Sequence, residues 1–111
     1  MASEIKFNGH IFKLPFRVGQ SLVTDGVMIV LLEDPAMKKE DSERSIFALG
    51  NDGGIKWQIQ KLDPIDPAQG AFWDFIGLDE TGKLFATNTG SYRCLIEPQS
   101  GRITITEIAK I

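Results

Sequence analysis

Apolar and polar residues alternate over short stretches of the chain, which predicts β-strands separated by tight turns. The clearest alternation covers residues 55–60, where Ile55, Trp57 and Ile59 stand between polar neighbours, as in a strand with one buried face. We therefore assign Trp57 to the core. Residues 27–32 are apolar at every position, which predicts a strand covered on both faces and the most protected strand of the fold.

Glycine-containing turns separate the predicted strands. Asn8-Gly9 and Asp25-Gly26 each lie between two strand-like segments, and such dipeptides favour two-residue hairpin turns because both central positions need positive φ. Residues 34–44 are mostly polar or charged, which predicts a surface loop with at most one short helical turn. The pattern as a whole predicts an all-β, antiparallel fold of about eight to ten short strands.

The length of 111 residues and the ordinary globular composition predict one domain, residues 1–111. Within it, residues 1–61 form a first repeat with an N-terminal hairpin, and residues 71–111 form a second repeat. Residues 62–70 contain two Asp-Pro pairs, which predict an extended, non-helical connector.

The two predicted repeats share an internal echo. Phe47-Ala48, a turn, and residues 55–59 correspond to Phe85-Ala86, a turn, and residues 92–96, with an offset of 38 residues before the turn and 37 after it. Periods near forty in all-β chains are typical of four-stranded propeller blades. The pattern therefore predicts two blade-like meander sheets.

Residues 46–57 and, more weakly, residues 78–86 resemble β-propeller repeat proteins of the PQQ-like or WD-like kind. The resemblance implies four-stranded blades, but propellers have about four to eight of them and this chain has material for two. One chain cannot close a ring, so we expect no quinone and no other cofactor. Two such sheets should shield their edges as a two-sheet sandwich or by pairing in a homodimer.

Charge and targeting signals narrow the partners and the compartment. Twelve Lys and Arg against fifteen Asp and Glu give a formal net charge of −3, the wrong sign for binding a nucleic-acid backbone. The longest apolar run has six residues, and the chain starts with an early acid, Glu4, so we expect no membrane span and no signal peptide. We expect a cytoplasmic protein in which Cys94, the single cysteine, is a small buried residue.

No catalytic or metal-binding set is predicted. His10 is the only histidine and follows a hairpin turn, where a solvated side chain is expected. Residues 50–56 resemble a phosphate-binding loop, but Lys56 is not followed by Ser or Thr. Asp63 and Asp66 precede prolines, so we interpret them as turn residues.

Phe72, Trp73 and Asp74 are the candidate binding residues. On a regular strand, Trp73 and Phe75 share one face while Phe72 and Asp74 share the other, so one face presents a large ring beside an acid. An exposed Trp73 or Phe72 would mark a ligand or partner surface. A core position for Trp73 is the alternative.

Three functions fit these features. The first is a non-enzymatic protein-binding or self-associating module, with another protein or a second copy as its partner. The second is a toxin-neutralising, immunity-like binder whose acidic loops, residues 40–43 and 63–66, complement a basic surface. The third is a small-molecule-binding or carbohydrate-binding protein, or a hydrolase, that uses carboxylates near Trp73.

Overall fold

Strands dominate the fold. The computed structural model describes residues 3–63, 71–89 and 92–107 and the backbone of Ile108. The elements within these residues are β1 (Ser3–Phe7), β2 (His10–Leu14), β3 (Val18–Thr24), β4 (Val27–Leu32), α1 (Lys39–Glu43), β5 (Ile46–Leu49), β6 (Ile55–Gln58), β7 (Trp73–Leu78), β8 (Leu84–Asn88), β9 (Tyr92–Ile96) and β10 (Ile103–Ile108). The short helix lies inside the predicted loop 34–44, as expected.

The strands form three antiparallel sheets in which neighbours in sequence are neighbours in space. β1 and β2 make a hairpin, β3-β4-β5-β6 make the first sheet, and β7-β8-β9-β10 make the second sheet. The predicted fold class is confirmed: the chain is all-β and antiparallel, with two four-stranded meander sheets. Most of the predicted connector lies at residues 64–70, outside the described part of the chain.

The two predicted hairpin turns are confirmed. Asn8 and Gly9 have φ of 50° and 80°, and Asp25 and Gly26 have φ of 50° and 75°. Two successive positive values are the geometry of the type I′ turn, whose twist matches that of the flanking strands. Asparagine, aspartate and glycine tolerate this geometry best, which explains the choice of residues.

The main core lies between the two sheets, and β4 contributes to it with one of its faces. Ile29 and Leu31 are buried in this inter-sheet core, whereas Val30 and Leu32 belong to a second cluster on the other face of the first sheet. The prediction that residues 27–32 are covered on both faces is confirmed. The members of the inter-sheet core are Val27, Ile29, Leu31, Ile46, Ala48, Ile59, Trp73, Ile76, Leu84, Ala86, Cys94 and Ile96.

The N-terminal hairpin covers the outer face of the first sheet. Phe12 and Leu14 of β2 are buried, and they pack with Val30, Leu32 and Leu49. The layers therefore run from the hairpin through the first sheet to the second sheet. Among the described residues, no further layer covers the outer face of the second sheet, where Phe75 is exposed and Phe85 and Leu95 are half-buried.

A glutamine joins the edges of the two sheets. The Gln20 side chain on β3 accepts a hydrogen bond from the backbone N–H of Ile76 at 3.1 Å and donates one to the carbonyl oxygen of Asp74 at 3.2 Å. The amide of Gln20 thus pairs with β7 as a neighbouring strand would. This contact satisfies backbone groups at an edge that would otherwise invite intermolecular pairing.

The echoed segments face the same way in both sheets but occupy different strand positions. Ala48 and Ala86 are buried in the inter-sheet core, while Phe47 and Phe85 lie on the outer faces. Phe47 and Ala48 lie on β5, which is the third strand of the first sheet in chain order. Phe85 and Ala86 lie on β8, which is the second strand of the second sheet. The echo therefore preserves the facing of residues rather than whole four-stranded sheets.

A β-bulge breaks the predicted alternation in β6. Ala48 pairs with Trp57 and Leu49 pairs with Ile55, so the register shifts between these two pairs. The prediction that Ile55, Trp57 and Ile59 share one buried face is wrong at Ile55, which is 51% exposed. Ile59 is buried, and Trp57 is half-buried against the inter-sheet core.

Gly101, in the turn between β9 and β10, is packed against Trp57. It has φ of 76°, and a Cβ atom there would lie 2.6 Å from Cδ2 of the Trp57 indole. Gly82 has φ of 82°, but a Cβ atom there would have no neighbour within 4 Å.

We expect Gly82→Ala to cost only the left-handed backbone strain, roughly 1–2 kcal/mol of unfolding free energy. Gly101→Ala should cost clearly more, because it also displaces the Trp57 indole. Urea unfolding of both variants measures the difference, and equal losses would contradict this packing.

Candidate functional site

The three predicted binding residues lie in different environments. Trp73 is only 4% exposed, and its indole N–H donates to the carbonyl oxygen of Glu43 at 3.1 Å. Phe72 is half-buried, and its backbone is tied to Thr89 by two hydrogen bonds. Asp74 alone is exposed, and it accepts a hydrogen bond from the Thr87 hydroxyl. Trp73 is therefore a core residue that links the second sheet to α1.

Trp73 and Phe75 point to opposite faces because β7, like β6, contains a β-bulge. Trp73 pairs with Asn88 and Phe75 pairs with Thr87, so Asp74 is the extra residue and the alternation restarts after it. The prediction that Trp73 and Phe75 share one face is therefore wrong. Trp73 points into the core, whereas Phe75 is 46% exposed on the opposite, outer face.

Three side chains form a ladder across the outer face of the second sheet. The ring centroids of Phe75 and Phe85 lie 5.8 Å apart with their planes tilted by 41°, and the Arg93 guanidinium lies 4.1 Å from the centroid of the Phe85 ring. Half-buried Leu95 pairs with Phe85 across the strands. We call Phe75, Gly77, Phe85, Arg93 and Leu95 the outer aromatic face.

Because Gly77 has no side chain, the Phe75 and Phe85 rings pack directly against the backbone of β7. A Cβ atom at Gly77 would lie 3.0 Å from the Phe75 ring and 3.1 Å from the Phe85 ring. The rings thus occupy the space above the backbone of β7. The result is an aromatic surface with a cation stacked on it, which is a composition enriched at protein interfaces.

The carboxylates near this sheet have structural partners. Asp79 Oδ1 accepts hydrogen bonds from the backbone N–H and hydroxyl of Thr81 and from the backbone N–H of Lys83, at 2.7–2.9 Å. The bonds from Thr81 and Lys83 lower the pKa of Asp79, since they stabilise the charged form. Asp79 therefore fixes the turn between β7 and β8.

The acidic loops are only partly available as a charged surface. Asp41 accepts a hydrogen bond from the backbone N–H of Lys38 at 2.9 Å at the start of α1. Glu43 is buried, and its carboxylate lies 3.8 Å from Nζ of Lys61. Asp63 lies at the end of a described segment, where its carbonyl oxygen accepts the Tyr92 hydroxyl, and residue 66 lies outside the described residues.

The single histidine, His10, is exposed. A Cβ atom at Gly53 would lie 2.9 Å from its Nδ1, so the imidazole packs against that loop. Within the described residues no group of three or more His, Cys, Asp or Glu could hold a metal ion. No helix among these residues has the length and apolarity that a membrane crossing requires.

Cys94 is buried in the inter-sheet core, as predicted. Burial raises the pKa of its thiol from 9.0 to about 11, because the charged thiolate would lose its hydration. Folding therefore disfavours the thiolate, so this group's contribution to stability is complete below pH 9 and declines as the pH rises towards 11.

We expect iodoacetamide to alkylate Cys94 slowly in the folded protein, with a rate that follows global unfolding. In urea the reaction should be fast and should titrate near pH 9. Mass spectrometry of the alkylated fraction measures both rates. Fast alkylation of the native chain at neutral pH would contradict the burial of this thiol.

A pocket of about 380 Å³ lies where three turns meet, and we call it the end pocket. The turns connect β3 to β4, β7 to β8 and β9 to β10. A second pocket of about 190 Å³ adjoins it, shares Asp25, and is lined by the glycine-rich loop 50–56. Neither pocket is lined by Trp73, Asp74 or Asp79.

Together, the described residues form an all-β fold that carries the outer aromatic face on its second sheet and two adjoining pockets where turns meet. The chain belongs to the family described as a domain of unknown function, DUF7957, whose family model matches residues 2–108. No curated protein and no solved structure matches the chain.

Sequence reasoning missed Phe75, Phe85 and Arg93 as a cluster. Phe75 is a close neighbour of Trp73 in the sequence, but regular alternation assigned it to the same face as Trp73. The signal that could have found the cluster is the glycine at position 77, since a glycine inside a strand often marks a close approach.

Proposed function

We propose that the chain is a non-enzymatic protein-binding module that associates with a second copy of itself through the outer aromatic face. One observation carries this proposal. The hairpin of β1 and β2 covers the outer face of the first sheet, whereas the outer face of the second sheet carries an exposed Phe75 ring, a half-buried Phe85 ring and no cover among the described residues. Exposed apolar surface that no other element covers is typical of interaction sites.

The chemistry of the face suits a tight protein contact. Phe75 and Phe85 offer rigid apolar area, and Arg93 can pair with an acid while it stacks on a ring. Glu107 of β10 pairs in register with Arg93, so charges of both signs stand at the border of the face. A two-fold arrangement brings the same patch of two copies together, and a patch with both signs can complement itself.

Sedimentation velocity over a concentration series tests the proposal. We expect the wild-type chain to approach twice 12.3 kDa, and Phe75→Ser to remain at 12.3 kDa. Val23→Ser is the matched control, because Val23 is an exposed apolar residue on β3 of the first sheet. A wild-type chain at 12.3 kDa at every concentration, or equal loss of association in both variants, would contradict it.

The two alternatives from the sequence have weaker support. An immunity-like acidic binder needs free acidic loops, but Asp41 caps a helix and Glu43 is buried. A small-molecule-binding or carbohydrate-binding protein, or a hydrolase, that uses carboxylates near Trp73 would need Asp74 and Asp79, which are bonded to Thr87 and to the turn and line neither pocket. Both alternatives therefore rank behind protein binding.

We also propose that the two sheets arose by duplication of a three-stranded unit that is related to a propeller blade. This unit corresponds to β4–β6 in the first sheet and to β7–β9 in the second sheet, and β3 and β10 are additional edge strands. The support is that inward positions correspond across the echo: Ala48 with Ala86, and Ile59 with Ile96. The resemblance to PQQ-like or WD-like repeats motivates this part of the proposal.

The proposed setting is the cytoplasm, with no nucleic-acid or membrane partner. A net charge of −3 opposes binding to phosphate backbones. The chain has one cysteine, the buried Cys94, and therefore has no internal disulfide. Proteins of a reducing compartment such as the cytoplasm typically lack disulfides.

A further inference from the structure

The end pocket is fixed by contacts between the two sheets. Gln99, in the turn between β9 and β10, donates hydrogen bonds to the carbonyl oxygen of Asp25 at 2.6 Å and to its Oδ2 at 3.1 Å. The Trp57 indole N–H donates to the carbonyl oxygen of Pro98 at 2.7 Å. These bonds connect residues far apart in sequence, so the pocket walls are set before any ligand arrives.

The pocket combines an apolar floor with charges of both signs. Leu84 and Ile96 belong to the inter-sheet core and also line the pocket, so the depression reaches the apolar interior. Leu95 and Pro98 extend this apolar lining. The volume of 380 Å³ lies near the lower end of the range of about 300–1,000 Å³ that is typical of small-molecule sites.

The charges come from opposite sheets. Asp25 belongs to the first sheet, whereas the cations Lys83 and Arg102 and the acid Glu97 flank turns of the second sheet. The lining therefore carries two acids and two bases and has no net charge. Gln99 occupies Oδ2 of Asp25, and Oδ1 has no hydrogen bond to any described residue.

We propose that the end pocket binds a free α-amino acid with an apolar side chain. A zwitterion matches this lining better than a simple anion or cation does, because the first sheet offers the acid Asp25 and the second sheet offers the cations Lys83 and Arg102. The ammonium group pairs with Asp25, and the carboxylate pairs with Lys83 and Arg102. The side chain contacts the floor formed by Leu84 and Ile96.

Titration by two-dimensional amide NMR tests this inference, with L-leucine as the probe. We expect saturable shifts of the amides at positions 24–25, 82–84 and 95–97. N-acetyl-leucine lacks the ammonium charge and leucinamide lacks the carboxylate, so each should bind at least tenfold more weakly. Leucine without saturable shifts in these segments, or three ligands of equal affinity, would overturn the proposal.

Charge-removing variants assign the two ends of the ligand. Asp25→Asn should weaken leucine at least tenfold while leaving N-acetyl-leucine unchanged, and asparagine tolerates the positive φ of this turn. Arg102→Gln should weaken leucine and N-acetyl-leucine alike but leave leucinamide unchanged. Lys56→Gln is the matched control, because Lys56 lines only the smaller neighbouring pocket, and it should leave leucine binding unchanged.

The end pocket and the outer aromatic face share Leu95 at their border, but the proposed charged contacts of the ligand, Asp25, Lys83 and Arg102, lie outside that face. The variant Phe75→Ser, which should abolish the dimer, should still bind leucine with the wild-type affinity. If Phe75→Ser instead removes leucine binding, or if the leucine shifts centre on Phe75 and Phe85, the ligand occupies the outer aromatic face and the end-pocket proposal is wrong.

Discussion

Replacing Trp73 by alanine is expected to lower the free energy of unfolding by about 3–5 kcal/mol. The indole is 4% exposed in the inter-sheet core, so its removal leaves a cavity between the two sheets. The same change leaves the carbonyl oxygen of Glu43 without the indole donor that now bonds it at 3.1 Å. Both losses act on the contact between α1 and the second sheet.

Two further variants separate these contributions. Trp73→Phe keeps much of the apolar volume but removes the N–H donor, so we expect a loss of roughly 1–3 kcal/mol. Phe75→Ala is the control two residues away on the exposed face, where we expect a change below about 1 kcal/mol when all variants are measured at a protein concentration at which the wild-type chain is monomeric. Urea unfolding followed by circular dichroism measures all three. A Phe75→Ala loss as large as that of Trp73→Ala would contradict the bulge that separates their faces.

Replacing Leu14 by alanine is expected to cost about 2–5 kcal/mol of unfolding free energy. Leu14 is 1% exposed, and it packs with Val30, Leu32 and Leu49 beneath the hairpin. Alanine would leave a cavity between β2 and the first sheet. The loss measures how firmly the hairpin covers that sheet.

Ile11→Ala is the matched control on the same strand. Ile11 is 63% exposed on the opposite face of β2, so its truncation should change the unfolding free energy by no more than about 0.5 kcal/mol. Denaturant unfolding of the two variants gives the comparison. Similar losses at Leu14 and Ile11 would mean that the hairpin does not pack on the first sheet with the face described above.

Local patterns were sufficient to predict the strands and the hairpin turns. The apolar run 27–32 has no polar face, so only a strand between two layers can hold it in an antiparallel fold. Asn8-Gly9 and Asp25-Gly26 require a geometry that few other dipeptides adopt. In each case the physical constraint lies within a few neighbouring residues, which a single sequence displays.

The two bulges could not be predicted in the same way. A bulge adds one residue to one strand only, and the partner strand decides where it occurs. At Asp74 and at Lys56 the sequence alternates as it would in a regular strand, yet Phe75 and Ile55 are exposed. For this reason the regular alternation assigned Phe75 to the same face as Trp73, whereas the structure places it on the opposite face.

The end pocket depends on contacts between residues that are distant in the sequence, so no short segment of the sequence predicts it. Gln99 and Asp25 are 74 positions apart, and each residue alone is typical of a turn. Their meeting requires that the two sheets stack with these turns at the same end. The hairpin cover of the first sheet is non-local in the same sense, because periodicity alone does not say which layer lies on which face of a strand.

The proposed contact between the outer aromatic face of the second sheet and a second copy of the chain can be observed directly. An isotope-filtered NOE experiment on a mixture of labelled and unlabelled protein tests it most directly, because it detects only contacts between copies. We predict intermolecular NOEs from the ring protons of Phe75 and Phe85 to the same face of the other copy. Intermolecular NOEs confined to other surfaces, or none at all at high concentration, would contradict it.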